Sequence, residues 1–395
     1  AILLRETNRP DEALGHADRA IALSPDLAQA HWLRGRLLDD RGHGVAASVA
    51  YARAAELDPE SLHIRGALLM ARRTNSDWQD DGALERHVLG QIKARAGVLE
   101  PFEAMCLEAD EDDLRFCAEA RAAEIKRQVH VLPAAPLVAR PKIRLGYLSC
   151  DFRDNAVSHL AVELFELHDR SAFEVIAYSY SFDDGSAMRR RVVAAFDRFV
   201  EIGHVRDADV AERIRADGID ILIDLKGYTG SARPRIVAAR PAAVNVNYQG
   251  YPGTMGGDFV DYIIADSFLI PPGLDHAYAE SIVRLPHSYQ PNDRRREIGV
   301  TPSRAACGLP AGAFVFCCFN APIKLHAPWF AIWMRLLAAN PNSVLWLSQG
   351  SPESVLNLLR EAATHGVDSQ RLIFAPRVPS TEAHLARHAH ADLFL

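Results

Sequence analysis

The chain has no excess of basic residues: its formal net charge is −7 over 395 residues, which gives no reason to propose a nucleic-acid partner. No apolar run approaches the ~18 residues that a membrane-crossing helix needs. In the opening AILLRETNRPDEAL no basic segment precedes the apolar one and no small-residue cleavage site follows, so no secretory signal is expected and the chain is expected in the cytoplasm. Cysteine is scarce. The six, at positions 106, 117, 150, 307, 317 and 318, form no spaced ligand set and are expected as core or near-core thiols. The His-rich and diacidic patterns of a metal hydrolase are missing, and so is the glycine-rich fingerprint with its following acid, which counts against a dehydrogenase. Neither a metal nor another cofactor is expected.

What is present begins with a repeat. Pro25 and Pro59 stand in the similar phrases AIALSPDLAQA and AAELDPESLHI, at the ~34-residue period of tetratricopeptide repeats. The positions that such a repeat fills with small or aromatic residues carry Gly35, Leu38, Ala47, Tyr51 and Ala54, and the preceding unit offers Ala13, Ala17 and Ala20. Residues 1–75 are therefore expected as an all-α repeat superhelix, with SLHIRGALLMARRTNSD as a terminal unit adapted to another domain. Helical periodicity continues through 76–141, which ends in the proline-rich linker VLPAAPLVARP.

From Lys142 the chain alternates apolar strands with amphipathic helices. Strands are expected at 142–149, 174–181, 199–202, 219–225, 243–248 and 261–266, with helices at 158–169, 186–195, 207–217 and 231–239 between them. That spacing demands a parallel sheet with helices on both faces. An irregular connection, 286–312, separates this Rossmann-like region (142–285) from a second α/β start at 313–395, where strands 314–320, 343–348 and 371–376 enclose helices 326–339 and 353–365. The second region reads as incomplete.

An open α/β sheet binds ligands outside the carboxyl ends of its strands, so the polar strand exits are the candidate site. DFRDNAVSHL delivers Asp151, Asp154 and, near a helix start, His159, whose imidazole can hold or pass a proton near neutral pH. DLKGYTG carries Gly227, Tyr228, Thr229 and Gly230, and NYQGYPGTMGG carries Tyr248, Tyr251, Pro252, Gly253 and Thr254. In the second region FNAPIKL places Asn320 and Lys324 between a strand and a helix start, where an ammonium and helix N–H groups could meet one anion. Each has a plain alternative: a cap neighbour for His159, a tight turn for Gly227 to Gly230, a solvated lysine for Lys324.

The repeat, GYLSCDFRDNAVSHL, the run from DLKGYTG through GYPGTMGGDFVDYIIAD, then FCCFNAPIKL, PNSVLWL and RLIFAP together resemble the O-linked N-acetylglucosamine transferase family, inverting glycosyltransferases of the two-Rossmann-domain (GT-B) type. The resemblance covers residues 10–395. It implies transfer of a sugar from a UDP-sugar donor to Ser or Thr of a protein, with donor between the two α/β domains and protein or peptide acceptor arriving from the repeat side, and no metal. It implies that His159 stands at the sugar, as base or sugar binder, that Lys324 meets the pyrophosphate, with both across one cleft, and that the GYPGT turn lines the cleft. Asp151, Tyr228, Tyr248 and Asn320 are carried over as substrate contacts. Asp151 and Asp154 are not assigned a metal, and Arg233 and Arg235 either hold the turn or face acceptor. The chain departs from the family at Ala321, where an amide side chain is usual, which bears on donor preference. Two alternatives stay open: an Asn-directed transferase using UDP-glucose, and a repeat scaffold with an inactive transferase region.

Overall fold

The computed structural model describes residues 10–136 and 139–395; the expectations for residues 1–9, and for two residues of the linker, lie outside them. By backbone contacts the chain forms two compact units, one made of residues up to Gly97 together with Arg296–Leu395, the other of Val98–Arg295.

The first unit opens with antiparallel helices α1 (Pro10–Leu23), α2 (Ala28–Asp39), α3 (Gly44–Leu57), α4 (Leu62–Thr74) and α5 (Asp81–Lys93). Small residues let α2 and α3 touch. A Cβ at Gly35 would sit 2.6 Å from the ring of Tyr51, so the ring occupies the space that glycine leaves. Ala47, Ala50 and Ala54 are buried on the same helix, and Ala13 and Ala17 pack on Leu37. α4 ends in a buried Arg73 whose Nη2 lies 2.7 Å from Asp81 and 2.8 Å from Glu85 on α5. Removing one partner from such a pair costs roughly 3–5 kcal/mol.

The same unit holds a four-stranded parallel sheet, order β10-β9-β8-β11, from β8 (Phe314–Cys318), β9 (Ser343–Ser348), β10 (Leu372–Ala375) and β11 (Leu393–Phe394). Phe330 and Met334 from the helix Ala327–Ala339 and Leu358 and Ala362 from the helix Pro352–Thr364 pack on Phe316, Leu345 and Leu347. Trp78, between α4 and α5, joins that core with its ring 5.3 Å from Phe330.

The second unit starts with a short helix α6 (Pro101–Ala104) and α7 (Glu111–Arg127), then builds a seven-stranded sheet from β1 (Ile143–Ser149), β2 (Phe173–Ser179), β3 (Arg198–Glu201), β4 (Ile221–Asp224), β5 (Val244–Tyr248), β6 (Tyr262–Asp266) and β7 (Ser281–Leu285). The order is β3-β2-β1-β4-β5-β6-β7, with every pairing parallel. Helices α8 (Ala156–Leu167) and α9 (Ala187–Ala194) cover one face. α7, α10 (Asp207–Ala216) and α11 (Pro234–Ala238) cover the other. The chain is thus a helical-repeat region followed by two Rossmann-like sheets. β7 was not expected from the sequence, because SIVRL at a sheet edge is half-exposed and carries a charge. The helix expected over 231–239 is one turn, since Ser231 takes a positive φ and Pro234 starts the helix late.

Candidate active site

The order of the larger sheet reverses between β1 and β4, the switch point at whose carboxyl ends open α/β sheets bind their ligands. β1 leaves through Asp151 and β4 through Lys226; Lys226 Nζ lies 2.8 Å from Asp151 Oδ2, with both side chains buried. Beneath them Asp224 is fully enclosed and accepts the backbone N–H groups of Lys226 and Gly227, each at 3.0 Å. Burial nonetheless pushes its carboxyl up to about 6. Burial also pushes the neighbouring Cys150 thiol up to about 11.

At the rim, Asn155 caps α8 by accepting the N–H of Val157 at 3.0 Å, and Ser158 donates to the Asp151 carbonyl at 2.6 Å. The cap aims the first turn, which carries His159. His159 Nε2 donates to Asp154 Oδ1 at 2.6 Å, and its side chain keeps 22% of its surface exposed. The Asp154 N–H donates in turn to Asp184 Oδ2 at 2.8 Å, so the exits of β1 and β2 are tied together around the imidazole. Burial opposes ionisation of Asp184, but the amides of Asp154 and Ser186 hold its carboxyl below the usual range. The result is a partly exposed imidazole held by a carboxylate, the arrangement that accepts or steers a proton.

The GYPGT turn faces mainly inward. Tyr251 packs edge-on to Tyr228 at 5.5 Å, Tyr228 donates to the Met255 carbonyl at 2.8 Å, and Thr254 donates to the buried Glu280 at 2.7 Å. Tyr248 donates to the Tyr289 carbonyl at 2.7 Å. Gly256, at φ +65°, lies so close to α7 that a Cβ would meet the Ala118 backbone at 2.3 Å. Gly250, Pro252 and Gly253 are the half-exposed part of the motif. Asp151 and Asp154 do not converge on one point: the first is spent on Lys226, the second on His159. Arg233 is committed to Asp207 and to the carbonyls of Ile202 and Val205, and Arg235 to Gln128.

Sequence reasoning passed over Lys226 and Gln249. Gln249 follows β5 in a left-handed conformation, is buried, and has no partner for either amide atom among the described residues. The signal was a polar side chain standing directly at a strand exit, inside motifs already singled out for other residues.

In the first unit, β8 runs into exposed Asn320 and Ala321 and then into a single 3-10 turn, Pro322–Lys324, before the helix Ala327–Ala339. Asn320 contacts Cys318 Sγ at 3.5 Å. Lys324 is exposed and, among the described residues, its ammonium has no ion-pair partner. Next to Asn320, Phe319 packs on Trp346, His384 and His388, with the Arg387 guanidinium 4.6 Å from its ring centre.

Glycosyl transferase family 41 matches residues 93–299 and 291–395. The chain is 35% identical over 260 residues to the probable UDP-N-acetylglucosamine–peptide N-acetylglucosaminyltransferase SEC of Arabidopsis thaliana, across 64% of this chain and 26% of that protein. It is 29% identical over 265 residues to the probable UDP-N-acetylglucosamine–peptide N-acetylglucosaminyltransferase SPINDLY of the same plant, across 64% of this chain and 28% of that one. The chain therefore spans between a quarter and a third of these relatives' length. Among solved structures it is similar to a Thermobaculum terrenum O-GlcNAc transferase mutant, with a TM-score of 0.78 and 27% identity, covering 99% of this chain and 75% of that one.

Proposed function

The chain belongs to glycosyl transferase family 41, and on that premise we propose that it transfers N-acetylglucosamine from UDP-N-acetylglucosamine to Ser or Thr hydroxyls of proteins. The observation that carries the proposal is the environment of His159, a partly exposed imidazole fixed by Asp154 at the mouth of a parallel sheet. In this proposal the acceptor oxygen attacks the anomeric carbon, its proton leaves toward His159 or a group that His159 orients, and the UDP departs with the charge of the broken bond. Lys324, an exposed cation beside a helix start with no ion-pair partner among the described residues, is the side chain proposed to meet the diphosphate. Asp151 and Tyr248 act by holding strand exits in place; half-exposed Pro252 and Gly253 and exposed Asn320 are the positions proposed to touch substrate.

Protein or peptide acceptors running along the repeat surface to the interdomain cleft belong to the same proposal. A stacked helical solenoid provides the extended face that a polypeptide needs. All six cysteines are free thiols, as expected in a reducing compartment, and a cytoplasmic location is proposed on that basis. Among the described residues no helix is long and apolar enough to cross a membrane.

The test is incubation of the protein with labelled UDP-N-acetylglucosamine or UDP-glucose and candidate acceptors, followed by mass-spectrometric location of the modified side chain. Labelled Ser or Thr with N-acetylglucosamine is the expected result. Transfer to Asn, or preference for UDP-glucose, overturns the acceptor or donor assignment, and no transfer at all overturns the activity.

A further inference from the structure

Lys324 stands on a turn with little stability of its own. Pro322–Lys324 is one 3-10 turn closed by two backbone bonds, Lys324 N–H to the Ala321 carbonyl and Leu325 N–H to the Pro322 carbonyl, both 2.9 Å. Isolated 3-10 turns have poor hydrogen-bond geometry and are held by what packs on them. Here the packing comes from the repeat region: α4 lies against this turn within the first unit.

A second set of contacts from the end of α4 reaches the turn by another route. The loop after β9 runs through Gly350 to Ser351, which caps the helix Pro352–Thr364 by accepting the N–H of Ser354 at 3.1 Å. Asn75 and Ser76, at the end of α4, grip this cap. Ser351 donates to Asn75 Oδ1 at 3.3 Å, Asn357 Nδ2 donates to the Asn75 carbonyl at 2.9 Å, and the Ser76 and Ser354 hydroxyls share a 2.9 Å hydrogen bond. Asn75, Ser76 and Ser354 are all buried, and Asn75 Nδ2 is itself anchored on the Ala71 carbonyl of α4 at 2.9 Å. Ser76 adopts φ +52°, an uncommon conformation for a residue with a side chain, which turns it toward Ser354. Between cap and turn stands Gly350, where a Cβ would lie 3.0 Å from both Pro322 Cγ and Ser354 Oγ. The close approach of Gly350 to both Pro322 and Ser354 is the link between cap and turn.

From this we infer that Asn75 and Ser76 are positioning residues for Lys324, so that the repeat region sets the placement of the diphosphate contact. The inference rests on the assignment of Lys324 to the diphosphate. It gives the last repeat unit a role in donor binding, separate from any role in holding acceptor.

The experiment compares UDP with uridine, because only UDP carries the groups that Lys324 would meet. Calorimetric titration of Asn75→Ala should show UDP binding weakened about fivefold, the effect of losing roughly 1 kcal/mol, with uridine affinity unchanged. In a Lys324→Ala background the same substitution should add less than about twofold, because the two act through one contact. Amide exchange at Lys324 and Leu325 should quicken in Asn75→Ala. Gly350→Ala is the second variant, wedging cap from turn without substituting a repeat residue, and it should reproduce the selective loss even where Asn75→Ala does not fold. Equal loss for UDP and uridine, or effects that add fully to those of Lys324→Ala, overturns the inference. Weaker UDP binding in Lys324→Ala with none in the Asn75 and Gly350 variants overturns the inference and leaves the assignment of Lys324 standing. Unchanged UDP affinity in Lys324→Ala overturns both.

Discussion

Lys226 and Asp151 form an ion pair at 2.8 Å across the carboxyl ends of β4 and β1, with the two side chains buried against each other. It ties together the exits of the two strands between which the strand order reverses. Lys226→Met leaves the Asp151 carboxylate enclosed without a counter-charge, which should cost roughly 3–5 kcal/mol of stability. Adding Asp151→Leu should recover most of that loss, as read from urea denaturation of the single and double variants.

His159→Ala should lower sugar transfer by about 10²–10⁴-fold, the range for a lost acid–base group. Asp154→Asn should lower it less, since the imidazole stays but loses its ionised partner. UDP affinity, measured by titration calorimetry, should be the same in both variants and the parent. An unchanged rate in His159→Ala would reject the role proposed for it.

Lys324→Ala should weaken UDP binding by about 1.5–3 kcal/mol, the value of a charge-assisted hydrogen bond. Because its ammonium is exposed and has no ion-pair partner among the described residues, the unfolding free energy should stay within what a neutral surface change gives, about ±0.5 kcal/mol. A large drop in stability would mean that Lys324 holds the fold instead.

Asp224 should make stability fall as pH rises. Burial lifts its folded-state carboxyl from 3.8 to about 6, so the folded chain holds this proton more tightly than the unfolded one. The stabilisation is complete below the lower value and is lost as pH climbs through the upper one, a change on the order of 2–3 kcal/mol. Denaturant titrations of the parent and Asp224→Asn at pH steps from 4 to 7.5 isolate the term as the difference between the two. A difference that does not vary with pH would count against it.

The parallel sheets were legible in the sequence because their central strands are buried on both faces and read as unbroken apolar runs, as ILID and SVLWLS do. β7 was not, because an edge strand carrying Arg284 offers no such run. That Gly35 and Tyr51 occupy small and aromatic positions of the repeat was legible too, whereas their contact with one another was not. The partners of the site residues were a different matter. Asp154 lies within one loop of His159, yet Lys226 meets Asp151 from another strand exit, and Asn75 meets Ser351 from the opposite end of the chain. Contacts across such separations leave no periodicity to read. The GYPGT motif shows a related limit: its aromatic and hydroxyl groups sit at a strand exit, but Tyr251 and Thr254 turn inward because Tyr228 and Glu280 await them there.

The first unit is assembled from both ends of the chain, with Val98–Arg295 made in between. At a synthesis rate of ~5–20 residues per second, the repeat helices leave the ribosome roughly 10–40 s before the strands that complete their unit begin to appear. Throughout that interval Trp78, Asn75 and Ser76 stand in water, without Phe330, Ser351 or Ser354 to cover them. The middle unit can fold meanwhile, being continuous. Folding of these two units therefore starts with Val98–Arg295, and the repeat helices are the part that most needs protection until residues 296–395 arrive.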